Sequence, residues 1–188
     1  MSASGTRGEP TLRFRAAASG DVDAVVALVE SAYRGDASRA GWTTEADLLD
    51  GRRTGRDEIE AILVRPQSRM LLLIEADGKL LGCAHVAVED GAGYFGMFSV
   101  VPSCQGTGLG SRVLAEAERV AAQEWDCDLM RMSVIDVRDE LIAYYERRGY
   151  RRTGILKPFP YGDARFGLPK RNDLRFEILE KPLDKDRA

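Results

Sequence analysis

"QGTGLGSR", Gln105–Arg112, places Gly106, Gly108 and Gly110 within five positions. The stretch follows an apolar run, "YFGMFSVVP" (Tyr94 to Pro102), and opens a segment from Gly108 to Trp125. In that segment Leu109, Val113, Leu114, Ala117, Val120, Ala121 and Trp125 recur at a helical period. Glycines between a strand and a helix bring unpaired backbone N–H groups and the positive end of a helix dipole to one place, which makes a ready anion site. Glycine also supplies the positive φ that a nest of N–H groups requires. Two phosphate fingerprints fail here. A dinucleotide GxGxxG would need glycine where Ser111 or Val113 stands, and a Walker loop would need Gly-Lys-Ser/Thr, with no lysine near. The pattern that fits is Gln/Arg-x-x-Gly-x-Gly/Ala, realised by Gln105, Gly108 and Gly110. A bare strand-to-helix turn is the structural alternative, but it needs fewer glycines.

Upstream of the glycines, "TLRFRAA" (Thr11 to Ala17) alternates as a half-buried strand does, and Val22, Val25, Val26, Leu28 and Val29 form a helical stripe that Asp21 would cap. Tyr33 to Thr54 is polar and glycine-broken; it predicts one short helix capped at Thr43 or Thr44 and little core. A further helix is predicted over Asp57 to Val64, ending before Pro66. Three strand-like runs follow, Met70 to Ala76, Lys79 to Glu89 and Tyr94 to Pro102, separated by "DG" and "DGAG" turn signals. They predict an antiparallel meander.

Downstream, Leu129 to Ile135 reads as a strand, Asp139 to Gly149 as a helix closed by glycine, and "YRRTG" as a short strand start. Ile155 to Asn172 reads as a long loop, which predicts a functional role. "DLRFEILEKPL" is the closing strand. Residues 1–10 and 184–188 read as flexible ends around a single domain over 11–183.

The chain has 188 residues, 44% of them hydrophobic and 30% charged, the composition of a globular protein with one core. A net charge of −3 offers no general attraction to nucleic acid, and no apolar run is long enough to span a bilayer. A cytoplasmic address and no membrane partner are expected. Cys83, Cys104 and Cys127 show no metal-ligand spacing and read as reduced thiols. His85 is the only histidine, so no histidine-based metal site is expected.

"FSVVPSCQGTGLGSRVL" followed by "LIAYYERRGY" resembles the GNAT superfamily of acetyl-CoA-dependent N-acetyltransferases. The order of strands and helices read above is similar along most of the chain. The resemblance implies an α/β fold with a mostly antiparallel, mixed sheet of six to seven strands and helices on both faces. It implies acetyl-CoA as co-substrate, no metal, and transfer of the acetyl group to a primary amine of a small molecule or peptide by direct attack in a ternary complex. It places the cofactor pyrophosphate on Gln105, Gly106, Thr107, Gly108, Leu109, Gly110 and Ser111. The pantetheine arm would pair with the backbone of Phe98, Ser99 and Val100, with the Val100 N–H a candidate oxyanion donor.

Tyr145 matches the tyrosine that assists the departing thiolate, the alternative being a core aromatic; Tyr144 points about 100° away on a helix and is expected to pack. The family's usual asparagine is replaced by Arg138, which leaves a cofactor contact there open. Ser133 stands where some members carry a carboxylate base. Asp136 and Glu140 read as residues of a helix start, and His85, as a strand histidine, is a weak candidate for the base. The acceptor would lie against the segments Tyr33 to Thr54 and Ile155 to Asn172, with Tyr33, Trp42, Glu45, Phe159, Tyr161 and Asp163 as candidates. Arg52 and Arg53 could read a substrate carboxylate, or be solvated surface charge. A non-catalytic acyl-CoA-binding or sensing module is the alternative function. The acceptor itself and the oligomeric state, a homodimer included, are left open by the sequence.

Overall fold

The computed structural model describes residues 11–185. The flexible ends expected at 1–10 and 186–188 lie outside the described residues. In the expected tail, Lys185 pairs with Asp126 and Asp128, each at 2.7 Å. In chain order the elements are β1 (Leu12–Ala16), α1 (Val22–Tyr33), α2 (Gly35–Ser38), β2 (Leu49–Asp50), α3 (Arg56–Val64), β3 (Ser68–Glu75), β4 (Leu80–Glu89) and β5 (Ala92–Val100). After these come α4 (Leu109–Arg119), β6 (Leu129–Ile135), α5 (Asp139–Glu146), β7 (Arg151–Pro158), β8 (Leu168–Pro169) and β9 (Arg175–Pro182).

Seven strands form one sheet in the order β1-β3-β4-β5-β6-β9-β7, all pairs antiparallel except β5 with β6. The uninterrupted apolar run of β3 has a simple cause: both of its faces are covered. Leu71 and Leu73 pack with Val113, Leu114 and Ala117 of α4, and Met70, Leu72 and Ile74 pack with Val25 and Val29 of α1 and Ile59 of α3. A period-2 strand between helical layers must be apolar at every position.

Several expectations are corrected. No helix follows Thr43 or Thr44: the short helix is α2, and the Thr44 hydroxyl bonds to Ser38 Oγ at 2.6 Å and accepts the Ala46 N–H at 3.1 Å, which shapes a turn. The same segment does have core content, burying Ser38, Thr43, Glu45, Ala46, Leu49 and Thr54. Asp21 precedes α1 but turns its carboxylate back to the Ala18 N–H at 2.8 Å and to Arg15 rather than into the helix. The helix from Gly108 loosens into a π-helical turn at Val120–Glu124.

The long loop is shorter than read, because β7 continues to Pro158. As an edge strand bonded only to β9, it exposes Ile155 and Leu156 on a surface with no alternation to betray it. Within what remains, β8 pairs with β2, Leu49 opposite Pro169 and Asp50 opposite Leu168. The two segments expected to meet the acceptor are thereby joined.

Candidate active site

Strands β5 and β6 part company early. Their pairing is confined to Gly93 opposite Met130 and Tyr94 opposite Arg131, while β6 stays paired with β9 as far as Ile135 opposite Phe176. Met97 adopts a positive φ of 46° where the β4–β5 register shifts between Cys83 and His85, a bulge that bends the strand away. Past it, the Val101 N–H donates to Leu81 O at 2.9 Å on the β4 side, so strand alternation turns the Val100 amide to the opposite edge, which β6 has already left. At that edge the Phe98 carbonyl accepts from the Tyr33 hydroxyl, and the Val100 carbonyl accepts from Gln105 Nε2 at 3.2 Å. Cavities open on either side of Phe98.

The larger cavity, about 350 Å³, lies at the N-terminus of α4 and is lined by Trp42, Val100, Gly106, Gly108, Tyr144 and Arg148 among others. The backbone amides of Gly106, Thr107 and Gly108 donate to no backbone carbonyl among the described residues, and those of Leu109 and Gly110 lie in the first helical turn, where no intrahelical acceptor exists. Gly106 and Gly108 have φ of 81° and 88°, a conformation that an L side chain resists. Gly110 serves differently: a Cβ there would meet Phe98 Cζ and Tyr144 Oη at 3.0 Å.

Positive charge adds to the dipole. Arg148 donates to Ser111 Oγ at 2.6 Å and lies over the Tyr144 ring, 3.4 Å from its centroid, and Arg147 lines the same wall. Tyr144 Oη is buried with no hydrogen-bond partner; the Ser111 hydroxyl is near enough to ease the phenol's pKa downward without reaching bonding geometry, and burial wins and raises it. An orphaned hydroxyl beside five free amides is a polar wall fitted to a ligand with phosphates and amides.

Gln105, expected among the cofactor contacts, spends its side chain as a clamp. Its Oε1 accepts the Trp42 N–H at 2.9 Å, and its Nε2 donates to Thr43 Oγ1 at 2.9 Å as well as to Val100 O. Trp42, expected on the acceptor side, is held instead against the larger cavity, its ring 5.1 Å from that of Tyr144. A Trp42→Ala variant should therefore weaken acetyl-CoA binding by about three- to tenfold, the worth of one aromatic contact, and leave the acceptor KM unchanged. Isothermal titration and steady-state kinetics check both halves.

The smaller chamber, about 90 Å³, is lined by Tyr33, Glu45, Arg53, Ser133, Arg138 and Tyr145 among others. Glu45 receives Arg34 Nη1 at 2.6 Å on Oε2 and Arg138 Nη1 at 2.9 Å on Oε1, all three side chains nearly buried. Burial alone would raise this carboxyl's pKa, but Arg138, Arg53 and Arg34 together reverse it and hold Glu45 below the usual range. Arg138 also donates to Thr43 O, so it serves this chamber rather than the larger cavity. Burial pushes Tyr33 up to about 12, helped by the Glu45 charge, and pushes Tyr145 well above its ordinary value. Tyr145 sits among Phe95, Phe98, Tyr144 and Tyr150.

Of the candidates in the acceptor segments, Tyr33 and Glu45 are brought to the chamber, and Phe159, Tyr161 and Asp163 are not. Phe159 packs with Leu49, Ile135 and Leu174; the Tyr161 hydroxyl bridges the Arg171 carbonyl and the Leu174 N–H; Asp163 is engaged by Arg165. They hold the loop, not the cavity. Ser99, expected to offer its backbone to the cofactor, is likewise turned inward: its hydroxyl bonds to Met97 O at 3.2 Å, and strand alternation directs its backbone to Cys83 of β4 rather than to the open edge.

Asp136 is bonded to Arg175 at 2.8 Å. His85 lines neither cavity: its Nε2 lies 2.9 Å from Ser68 Oγ, and burial, with the Arg65 charge, lowers its pKa to about 4. The folded chain then binds fewer protons at His85 than the unfolded chain between an ordinary value of about 6.5 and this one. Its contribution to stability is complete above that window and is lost as pH falls through it. Melting temperature followed from pH 7 downward should drop more steeply for wild type than for His85→Gln.

Sequence reasoning missed Arg148, Arg147 and Tyr144 at the larger cavity. A pair of arginines before a closing glycine carries no signal unless the helix is already known to face the glycine loop.

No curated protein is a significant sequence match. Among solved structures the chain is similar in fold to spermidine N-acetyltransferase from Vibrio cholerae in complex with CoA and spermine (15% identity, 93% of this chain and 96% of that one, TM-score 0.67). It is similar in the same sense to the ribosomal-protein-S18-alanine N-acetyltransferase from Escherichia coli (14%, 95% and 99%, 0.66) and to nourseothricin acetyltransferase (19%, 92% and 99%, 0.64). The acetyltransferase (GNAT) family model matches residues 28–150, a span that begins in α1 and takes in the parted strands, the glycine loop, α4 and the tyrosines of α5. With those features in that order over well more than half its length, the chain belongs to the acetyltransferase (GNAT) family and is an acyltransferase.

Proposed function

We propose that the chain transfers an acetyl group from acetyl-CoA to a primary amine of a small molecule or peptide by direct attack in a ternary complex. The observation that carries this reading is the pair of cavities meeting at the unpaired edge of Phe98 and Val100, one lined by free amides and arginines, the other holding Tyr145. Acetyl-CoA supplies the acyl carbon: the acceptor nitrogen forms the C–N bond as the C–S bond breaks, one proton leaving the amine and one arriving at sulfur.

The chain's residues hold and polarise. Gly106 to Gly110 offer amides to the pyrophosphate, with Arg147 and Arg148 adding charge. The Val100 N–H is aimed into the gap, where it can donate to the thioester oxygen as negative charge grows on it. Tyr145 holds a proton for sulfur. Glu45, the carboxylate that lines the chamber, is paired to an arginine on each oxygen and held below the usual carboxylate range, which makes it a weak base. The neighbouring guanidiniums instead disfavour the ammonium form of an amine placed beside them, and water can then carry its proton away. Three free thiols fit a reducing, cytoplasmic setting.

Titration of acetyl-CoA into the full chain, followed by CoA-thiol release over a panel of amines, tests the reading. Binding with amine-dependent release is expected. Binding without release on any amine would point to the acyl-CoA-sensing alternative, and no binding by the folded chain would overturn both.

A further inference from the structure

We propose that the acceptor carries a carboxylate beside its amine, and that Arg53 reads that carboxylate. This rests on the acyltransfer reading above and narrows its acceptor. Arg52 and Arg53 are neighbours in sequence but not in role: Arg52 is exposed, whereas Arg53 lines the smaller chamber with its guanidinium 5.4 Å from the Tyr33 ring centroid. The root of the side chain is fixed, since Glu30 Oε1 accepts the backbone amides of both Arg53 and Thr54. Its head makes no ion pair among the described residues.

No neighbouring carboxylate forms an ion pair with the Arg53 head among the described residues, each being hydrogen-bonded elsewhere, and Glu45 and Glu58 act on it only at longer range. Glu45 is shared between Arg34 and Arg138. Glu58 accepts from Thr54 Oγ1 at 2.8 Å, and Glu30 is spent on the two amides. Of the charged side chains that line the chamber, Arg53 and Arg138 face a single carboxylate, Glu45, which leaves one positive charge in excess. A planar guanidinium with a free fork in a small, mostly buried space is matched by a carboxylate, which it can bind through two parallel bonds. The same charge opposes a second ammonium, so a polyamine is a poor fit.

Matched amines test the proposal: L-phenylalanine against 2-phenylethylamine, L-leucine against 3-methylbutylamine, and 4-aminobutyrate against putrescine, each with acetyl-CoA and read by thiol release. Wild type is expected to favour the carboxylate member of at least one pair by about 100-fold in kcat/KM. Arg53→Gln should raise the KM for that member by about 30-fold with kcat nearly unchanged, against no more than about threefold for its partner, while Arg53→Lys recovers part of the loss.

Preference for the amines without a carboxylate, or an equal loss on both members in Arg53→Gln, would overturn the assignment while leaving acyltransfer intact. Turnover of neither member of any pair would also overturn it. Acetyl-CoA titration in the same samples would then show whether the acyltransfer reading falls with it.

Discussion

Replacement of Gly108 by glutamate is expected to abolish acetyl-CoA binding, weakening it by about 1,000-fold or more, in a chain that still folds. Two effects act together. Gly108 caps α4 with φ of 88°, and nothing lies within 4 Å of where a Cβ would stand, so the new side chain projects into open cavity rather than into the core. A carboxylate there would sit among the amides of Gly106 to Gly110, occupy the positive end of the α4 dipole, and meet a diphosphate with like charge in a partly desolvated space, where such a juxtaposition costs several kcal/mol. Backbone strain is the confounding term, because any L residue at this φ costs about 1–3 kcal/mol. Gly108→Ala pays that strain without the charge. Titration of acetyl-CoA into both variants, with a thermal melt of each, separates the two: the alanine variant should melt lower yet bind within about tenfold of wild type. If alanine and glutamate lose binding equally, the loop acts only as a turn.

That a single substitution can be aimed in this way follows from how legible the loop was. A glycine cluster between a period-2 run and a 3.6-period run marks a strand, a turn and a helix whatever surrounds them, and the element order from β3 to α5 was readable for the same reason. The acceptor side was not. Tyr33 to Thr54 is polar and broken, and polar segments read as surface, yet this one buries Glu45 between Arg34 and Arg138. A buried ion pair has no period. Its partners lie just after α1, in the loop and just before α5, so only the assembled fold shows one carboxylate shared by two guanidiniums with Arg53 left unpaired beside them. β7 was hidden for the opposite reason, since an edge strand exposed on both faces offers no alternation. Trp42 and Tyr144 needed the fold as well, because their shared wall joins residues a hundred positions apart through a clamp from Gln105.

The adjacent tyrosines of α5 should respond to loss of a hydroxyl in opposite ways. Tyr145→Phe is expected to lower kcat by about 100-fold with the acetyl-CoA affinity and the melting temperature little changed. Burial holds the Tyr145 phenol well above its ordinary value of about 10, so it stays protonated wherever the enzyme is folded. A thiol titrates near 8.5, so handing the proton over completely would be uphill. What Tyr145 can do is donate a hydrogen bond that shortens as charge collects on sulfur, a contribution present in the transition state and almost absent from the ground state, hence an effect on kcat rather than on KM.

Tyr144→Phe removes a hydroxyl that is buried without a partner in the unliganded chain. The variant should be as stable as wild type or more so by about 1 kcal/mol, and any cost should fall on acetyl-CoA binding, since that hydroxyl faces the larger cavity. Steady-state kinetics and melting curves on the two variants decide the assignment. A large kcat loss in Tyr144→Phe with Tyr145→Phe near wild type would move the proton donor one residue back along α5 and into the larger cavity.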